Sequence, residues 1–323
     1  MKRALVIGVT GQDGAYLTRL LLDKGYSVFG LKRSSSLSNT ERLRYLGIDG
    51  QVEFLEGDVT DQESILRALH AAEPEEVYNL AAQSSVGVSW QQPVLTAHVT
   101  GAGVITVLES IRKVNPAIRF YQASTSEMFG DSAEPVQSEI TSFRPRNPYA
   151  VAKLLAHWAT VNYRESFGLF ACAGILFTHE SPIRGLAFVT RKITHGVARI
   201  KRGLASKLLL GNLAARRDWG FAGDYVEAMW LMLQVREPKD YVVATGRTAS
   251  IEEFCRLAFA HAGLDWCEHV EVDESLMRPA DIRTQCGNAA RAKMDLGWEP
   301  RTELERLVAM MVDADLARVS GDG

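Results

Sequence analysis

The chain has 323 residues, 46% of them hydrophobic and 23% charged, and this balance predicts a globular protein rather than a disordered or repetitive one. Its 36 basic residues against 39 acidic ones give a net charge of −3, which argues against a nucleic-acid partner. No apolar stretch approaches the roughly 18 residues that a membrane span needs, so no membrane association is expected. The four cysteines have no disulfide or zinc spacing and no export signal precedes them, which predicts a cytoplasmic protein without a bound metal.

Short apolar runs alternate with helical patterns through the first half of the chain. The predicted strands are residues 4–9, 27–31, 52–55, 77–80, 118–123 and 170–177, and the predicted helices are residues 15–24, 62–72, 96–114 and 148–167. The last of these helices has Asn147 as its N-cap and Pro148 at its first position. Alternating helices and buried apolar strands predict an α/β fold with a Rossmann-type doubly wound parallel sheet.

The pattern becomes irregular beyond residue 178. We therefore predict a dinucleotide-binding Rossmann domain over residues 1–178, to which a later segment at about 212–250 returns. Residues 179–323 are expected to form mainly a smaller, mixed substrate-binding cap, so that the cap is built mainly from the C-terminal part of the chain.

A glycine-rich loop of the form G-x-x-G-x-x-G joins the first strand to the first helix. Glycines let the backbone approach a pyrophosphate, whose charge then lies on the free N–H groups of the helix start. The order strand, loop and helix is the context that this motif requires, which favours a phosphate loop over a plain turn. The expected contacts are Gly8, Thr10, Gly11, Gln12, Asp13 and Gly14.

The second strand ends in Lys32 and Arg33 and is followed by Ser34, where NAD-binding proteins usually carry a carboxylate for the ribose. A cation followed by hydroxyl groups suits a 2′-phosphate, so NADP is the predicted cofactor, although both cations could instead be solvated surface charges. Further cofactor contacts are expected after the third and fourth strands. These are Asp58, Val59, Leu80, Ala81, Ala82 and Ser84.

Tyr149 and Lys153 have the i, i+4 spacing that places two side chains on one face of a helix. An ammonium group near a phenol favours the phenolate, so Lys153 is expected to lower the pKa of Tyr149. Tyrosine then becomes a base that takes a proton from an alcohol near neutral pH.

The fifth strand leads into Thr125, Ser126 and Glu127 at the edge of the sheet where such folds bind ligands. Thr125 could donate to the same hydroxyl that Tyr149 deprotonates. Simple alcohol oxidation needs no carboxylate, so Glu127 indicates a second proton transfer. The alternative is that Glu127 is a structural, salt-bridged carboxylate.

The glycine loop, Thr125 to Glu127 and the Tyr149/Lys153 pair resemble the extended short-chain dehydrogenase/reductases. Longer runs at residues 120–130, 161–168 and 224–230 are similar to those of GDP-mannose 4,6-dehydratases, over nearly the whole chain. The resemblance implies NADP-dependent conversion of GDP-mannose to GDP-4-keto-6-deoxymannose. In that reaction Tyr149 deprotonates O4, C4 gives hydride to NADP, Glu127 takes the C5 proton, and water leaves from C6. It also implies a homodimer or homotetramer, with the loop after the second strand as one possible contact.

Residues 183–217 contain nine basic residues and no acidic one, which suits a diphosphate. The nine are Arg184, Arg191, Lys192, Arg199, Lys201, Arg202, Lys207, Arg216 and Arg217. The resemblance assigns Arg184, Lys192, Arg217 and Arg278 to the nucleoside diphosphate, and His179 and Arg184 to the cofactor. Other predicted substrate contacts are Ser84, Thr125, Ser126, Glu127 and Thr178.

Four positions depart from the family pattern. Thr178 stands where asparagine is usual, Ile183 and Lys32 each stand where a second arginine is common, and Leu95 stands where many members have an aromatic residue near the cofactor. A dehydratase for a related nucleotide hexose therefore stays open. A nucleotide-sugar 4-epimerase or 4-ketoreductase would share the fold and the Tyr149/Lys153 pair but would not need Glu127. A non-catalytic NADP-binding sensor is disfavoured because the pair is present.

Overall fold

The computed structural model describes residues 1–33, 40–277 and 282–319. The strands are β1 (Arg3–Ile7), β2 (Ser27–Lys32), β3 (Glu53–Glu56), β4 (Glu76–Asn79), β5 (Arg119–Thr125), β6 (Ala171–Leu176), β7 (Thr178–Glu180), β8 (Leu208–Leu210), β9 (Arg216–Arg217), β10 (Trp219–Phe221), β11 (Tyr241–Val243), β12 (Ala249–Ser250) and β13 (Val270–Val272). The helices are α1 (Gln12–Asp23), α2 (Glu41–Tyr45), α3 (Gln62–Ala72), α4 (Val86–Gln91), α5 (Pro93–Thr96), α6 (Gly103–Val114), α7 (Pro148–Phe167), α8 (Val189–Lys201), α9 (Ala222–Met232), α10 (Ile251–His261), α11 (Ala290–Leu296) and α12 (Leu304–Val319).

Seven parallel strands form the central sheet in the order β11-β6-β5-β4-β1-β2-β3. The predicted doubly wound sheet is confirmed. Strand order reverses between β1 and β4, where Ile7 pairs with Leu31 on one side and with Asn79 on the other. In open α/β sheets a reversal of this kind opens a ligand crevice at the carboxyl ends of the strands.

Strand β1 shows why the sheet is buried on both faces. Ala4 and Val6 pack into one apolar cluster, whereas Leu5 and Ile7 pack into the cluster on the opposite face. Successive side chains of a strand point to opposite faces, so an uninterrupted apolar run is the pattern of a strand covered by helices on both sides. Burial of each large aliphatic side chain contributes about 1.5–3 kcal/mol to this packing.

The expectation that no apolar stretch reaches membrane-spanning length is wrong. Helices α5 and α6 join through a π-helical turn at Ala97–Ala102, and the continuous helix Pro93–Val114 is long and apolar enough by composition to cross a bilayer. Half of it is buried, however, and it packs between α3 and α7. Val107 and Ile111 are fully buried in the cluster that covers the sheet. Packing within the protein thus accounts for the buried half of this apolar helix.

The second half of the chain both completes the central sheet and forms a further apolar cluster of its own. Helix α9 packs on α1, and β11 pairs with β6 as the seventh strand of the central sheet. Helices α8, α10 and α12 enclose a separate cluster around Phe254 and Trp219. The remaining short strands pair as β7 with β10, β8 with β13 and β9 with β12.

Candidate active site

The glycine loop between β1 and α1 has the close backbone packing that a phosphate loop needs. Gly8 has a φ of +89°, and a Cβ atom there would lie 2.9 Å from the amide nitrogen of Ala81. A Cβ at Gly14 would lie 2.3 Å from the carbonyl oxygen of Gly8. Gly11 caps α1 without a side chain, so nothing of its own covers the N–H groups at the helix start. These residues fit the pyrophosphate of a dinucleotide.

Asp13, in the first turn of α1, forms a partly buried ion pair with His179, which lies in β7. The His179 ring is 3.0 Å from Asp13 Oδ2 through Nε2 and 2.7 Å from the carbonyl oxygen of Phe177 through Nδ1. Both neighbours are acceptors, so the doubly protonated ring satisfies both contacts. Burial opposes this charge, but Asp13 raises the pKa of His179, while His179 holds the pKa of Asp13 well below its usual range.

Further hydrogen bonds attach the phosphate loop to the segment after β7. The amide of Gln12 donates to the carbonyl of His179 and accepts from the hydroxyl of Ser181. The Arg42 guanidinium donates to the carbonyl oxygens of Thr10 and Ile183. Arg42 was not singled out from the sequence, since nothing in its local pattern distinguishes it from a surface arginine.

A cavity of about 380 Å³ opens at the carboxyl edge of the sheet beside this loop. The predicted residues that line it are Asp13, Leu80, Ala82, Ser84, Thr125, Ser126, Glu127, Tyr149, Lys153, Thr178, His179, Arg184, Lys192 and Arg217. The catalytic, sugar-side and diphosphate candidates thus meet in one place. Ser34 and Arg278 lie outside the described residues.

Tyr149 and Lys153 are both buried, and they face the end of β5 from the first turns of α7. Lys153 Nζ donates to the carbonyl oxygen of Ala123 and lies 5.9 Å from the centre of the Tyr149 ring. Burial lowers the pKa of Lys153 to about 8 and raises the pKa of Tyr149. The expectation that Lys153 lowers the pKa of Tyr149 is wrong for this structure. The groups that do so are Thr125, by a hydrogen bond, and Arg184, by its charge.

Glu127 lies in a short 3₁₀ turn, Ser126–Phe129, that begins where β5 ends. The hydroxyl of Thr125 caps this turn by accepting from the amide of Glu127 at 3.3 Å. The Glu127 carboxylate accepts a hydrogen bond from the side chain of Asn147. Among the described residues, Glu127 has no salt bridge, so the alternative of a salt-bridged structural carboxylate finds no support.

The predicted contacts for the adenosine end of the cofactor follow β2 and β3. Arg33 is exposed just past the end of β2, and Lys32 Nζ lies 4.8 Å from the centre of the Phe54 ring. Asp58 accepts from the amide and hydroxyl of Thr60, while Val59 is buried. These residues lie outside the lining of the 380 Å³ cavity.

The cationic segment divides into site residues and structural residues. Arg184 lines the cavity, with its Nε atom 3.2 Å from Glu180 and its guanidinium over the Phe188 ring. Arg191 instead forms a buried pair with Asp315 of α12. The others that do not line the cavity are Arg199, Lys201, Arg202, Lys207 and Arg216. Ile183, at the position of the missing second arginine, packs into the core.

Several cavity-lining residues were not found from the sequence, because most of them are small or apolar and carry no chemical signal of their own. They include Ser85, Val86, Phe188, Val189, Leu210, Gly211, Asn212 and Met277. A larger cavity of about 570 Å³ lies between α10 and the start of α12. None of the described residues that line it is a predicted site residue, so size alone does not select the site. The described part of the chain also contains no group of three potential metal ligands.

The sheet order, the phosphate loop and the Tyr149/Lys153 pair define a Rossmann-fold enzyme of the short-chain dehydrogenase/reductase class with a nicotinamide dinucleotide cofactor. At 26% identity and a TM-score of 0.84, the fold is similar to UDP-glucose 4-epimerase of Thermus thermophilus in complex with NAD, with 97% of this chain and 98% of that chain covered.

Residues 5–311 match the family model described as GDP-mannose 4,6 dehydratase. The chain is 54% identical to GDP-mannose 4,6 dehydratase 1 of Arabidopsis thaliana, covering 98% of this chain and 90% of that protein. It is 45% identical to the GDP-mannose 4,6 dehydratase of Homo sapiens, covering 97% and 91%. The chain belongs to the GDP-mannose 4,6-dehydratase family.

Proposed function

We propose that this enzyme converts GDP-mannose to GDP-4-keto-6-deoxymannose and water, with NADP as the cofactor. One observation carries the proposal: Glu127 lies in the same cavity as Thr125 and the Tyr149/Lys153 pair. The pair alone suits oxidation and reduction at one carbon, as an epimerase or ketoreductase needs. A third acid–base group in reach of the same sugar suits elimination of water.

Tyr149 takes the proton from the O4 hydroxyl, and the Thr125 hydroxyl holds that oxygen in place. A nicotinamide dinucleotide held by the glycine loop would supply the hydride acceptor for C4 and the hydride donor for C6. Because burial raises the pKa of Tyr149, its phenolate depends on the groups that favour it, which are Thr125 and Arg184. Lys153 holds the start of α7 against β5 through the carbonyl of Ala123.

Glu127 performs the proton transfers of the elimination. Once C4 is a ketone, the C5–H bond is acidified, and Glu127 takes this proton as the C5–C6 double bond forms and the C6–O bond breaks. The same carboxyl group protonates the leaving hydroxide, so that water departs. A proton returned to C5 balances the one taken from O4, and the sugar undergoes no net oxidation.

Arg184, Lys192 and Arg217 line the cavity together with these groups and would bind the diphosphate. Arginine and lysine form charge-assisted hydrogen bonds with phosphate oxygens, about twice as strong as neutral ones. This cationic side supports a nucleoside-diphosphate sugar over an uncharged alcohol.

NADP is proposed over NAD because β2 ends in Lys32 and Arg33 with no carboxylate for a ribose hydroxyl. The amide of Gly8 lies 3.4 Å from the carbonyl oxygen of Leu31, so the phosphate loop and the end of β2 are neighbours. Arg33 is exposed there, and the described residues provide no hydrogen bond or ion pair for its guanidinium. A 2′-phosphate would supply that partner.

We further propose a cytoplasmic homo-oligomer, at least a dimer. Helices α5, α6 and α7 lie side by side and expose apolar side chains. These are Val94, Leu95, Ile105, Val151, Leu155 and Trp158. Adjacent exposed apolar groups are typical of an interface between subunits. Val151→Asp and Trp158→Glu should each reduce the mass measured by light scattering to that of one chain, whereas Ile140→Asp, at an exposed apolar residue elsewhere, should not.

The direct test incubates the purified enzyme and NADP with GDP-mannose, GDP-glucose, UDP-glucose and dTDP-glucose, and analyses the products by mass spectrometry. The proposal predicts loss of one water from GDP-mannose and a product that absorbs in alkali. A product of unchanged mass would indicate an epimerase. Dehydration of another nucleotide hexose alone would overturn the GDP-mannose assignment while retaining the dehydratase chemistry.

A further inference from the structure

We propose that Asn147 is a positioning residue for Glu127, and that it links the proton-accepting carboxylate to the helix that carries Tyr149. The inference rests on the proposed function, in which Glu127 takes the C5 proton. It extends that function to a residue outside the reacting groups.

Asn147 makes two side-chain hydrogen bonds at the start of α7. Its Oδ1 atom accepts from the backbone N–H of Ala150 at 2.8 Å, and its Nδ2 atom donates to Glu127 Oε2 at 2.9 Å. The backbone N–H can only donate, so the amide oxygen must face Ala150 and the amide nitrogen must face the carboxylate. Asn147 is 5% exposed; its bond to Ala150 is buried, and its bond to Glu127 is partly buried at the cavity wall.

Helix capping alone does not explain an asparagine at this position. Aspartate and serine cap helices about as well as asparagine does, because an N-cap needs only an acceptor. Ionised aspartate has no donor to offer Glu127, and serine would have to use one oxygen on a shorter side chain both to accept from Ala150 and to donate to Glu127. The amide of asparagine serves the two bonds with separate atoms, which favours it at this position.

The two bonds fix the position of Glu127 relative to Tyr149. The amide of Glu127 is held by Thr125, and Oε2 is held by Asn147, whereas Oε1 has no hydrogen bond among the described residues. Oε1 is thus the oxygen left to accept a proton. Because Asn147 immediately precedes the turn that carries Tyr149, the proton acceptors for O4 and C5 share one rigid support.

Asn147→Asp tests this arrangement while retaining the shape of the side chain and the cap. It removes the donor and places a second carboxylate beside Glu127. We expect kcat to fall about 10- to 100-fold, as for a loss of about 1.4–2.8 kcal/mol, with KM for GDP-mannose within about threefold of wild type. Asn147→Ser, which keeps a capping oxygen without a second carboxylate, should lower kcat in the same direction.

Isotope effects identify the affected step. With C5-deuterated GDP-mannose, the isotope effect on kcat should be larger in both variants than in the wild type, and the effect of C4 deuteration should be smaller. Ser250→Ala is the matched control, since it removes the N-cap hydrogen bond of a different helix, α10. This variant should change stability but neither isotope effect.

Two results would overturn the inference: unchanged kcat in both Asn147 variants, or a reduced kcat with both isotope effects as in wild type. The second result would assign Asn147 to helix capping alone. Glu127→Gln, measured alongside, keeps the outcomes apart. If Glu127→Gln is itself active, the proposed role of Glu127 fails. If it is inactive and the Asn147 variants are normal, only the positioning role fails.

Discussion

Lys153 Nζ donates a 2.7 Å hydrogen bond to the carbonyl oxygen of Ala123, two residues before Thr125 on the same strand. This bond connects α7 directly to the end of β5, so the helix that carries Tyr149 is held against the strand that leads to Glu127. The ammonium group is buried, and burial lowers its pKa from 10.5 to about 8. At pH values where Lys153 is charged, its burial therefore lowers the stability of the folded protein.

Replacing Lys153 by methionine should change how stability depends on pH. Between pH 8 and 10.5 the unfolded wild-type chain binds more protons at this lysine than the folded protein, so its folding free energy becomes more favourable as pH rises. Over this interval the free energy of unfolding of the wild type should rise by about 3 kcal/mol relative to that of Lys153→Met, at about 1.4 kcal/mol per pH unit. Denaturant unfolding of the cofactor-free proteins measures the difference. If the difference in free energy of unfolding between the two proteins did not change with pH, the lowered pKa of Lys153 would be contradicted.

The Asp13/His179 pair predicts a different pH window. Because the pKa of Asp13 is lowered, its carboxylate stabilises the fold above pH 3.8, and this contribution is lost as pH falls further. Because the pKa of His179 is raised, its imidazolium stabilises the fold below pH 6.5, and this contribution is lost as pH rises through the pKa of the folded state. Asp13→Asn should therefore be most destabilising between about pH 4 and 6.5. The exposed control on the same helix, Asp23→Asn, should have an effect below about 1 kcal/mol. An equal penalty for Asp13→Asn at pH 5 and pH 9 would show that the pair is not ionic.

Arg33 should determine the preference for NADP. A charge-assisted hydrogen bond to a 2′-phosphate contributes about 1.5–3 kcal/mol, which corresponds to roughly 10- to 100-fold tighter binding than NAD. Titration of stripped protein with both dinucleotides should show this ratio, and Arg33→Ala should remove most of it. Arg67→Ala, at an exposed arginine on α3, should not change it. Equal affinity of the wild type for NADP and NAD would contradict the assignment.

The features of the site that depend on local backbone geometry could be predicted from the sequence. Gly8 and Gly14 allow a close approach that no other residue permits, and helix α7 begins where Asn147 and Pro148 predict. Such features are decided by steric limits within a few residues of chain, so they are readable without the tertiary structure.

Contacts between distant segments could not be predicted in the same way. Lys153 bonds to Ala123 rather than to Tyr149, and Arg42 joins Thr10 to Ile183 across the fold. The partner of a long side chain depends on which carbonyl the tertiary structure brings within reach. Asn147 illustrates both cases, since its cap was predicted and its bond to Glu127 was not.

Glu127 is proposed as the proton acceptor of the dehydration, and the Glu127→Gln variant separates this role from substrate binding. The variant retains the size of the side chain but cannot take a proton. Product formation from GDP-mannose, followed by mass spectrometry, should fall by about 10²- to 10⁴-fold, while calorimetry shows binding of GDP-mannose within about threefold of wild type. The control Glu165→Gln, on the exposed face of α7, should retain full activity. Turnover of Glu127→Gln within about tenfold of wild type would contradict the claim.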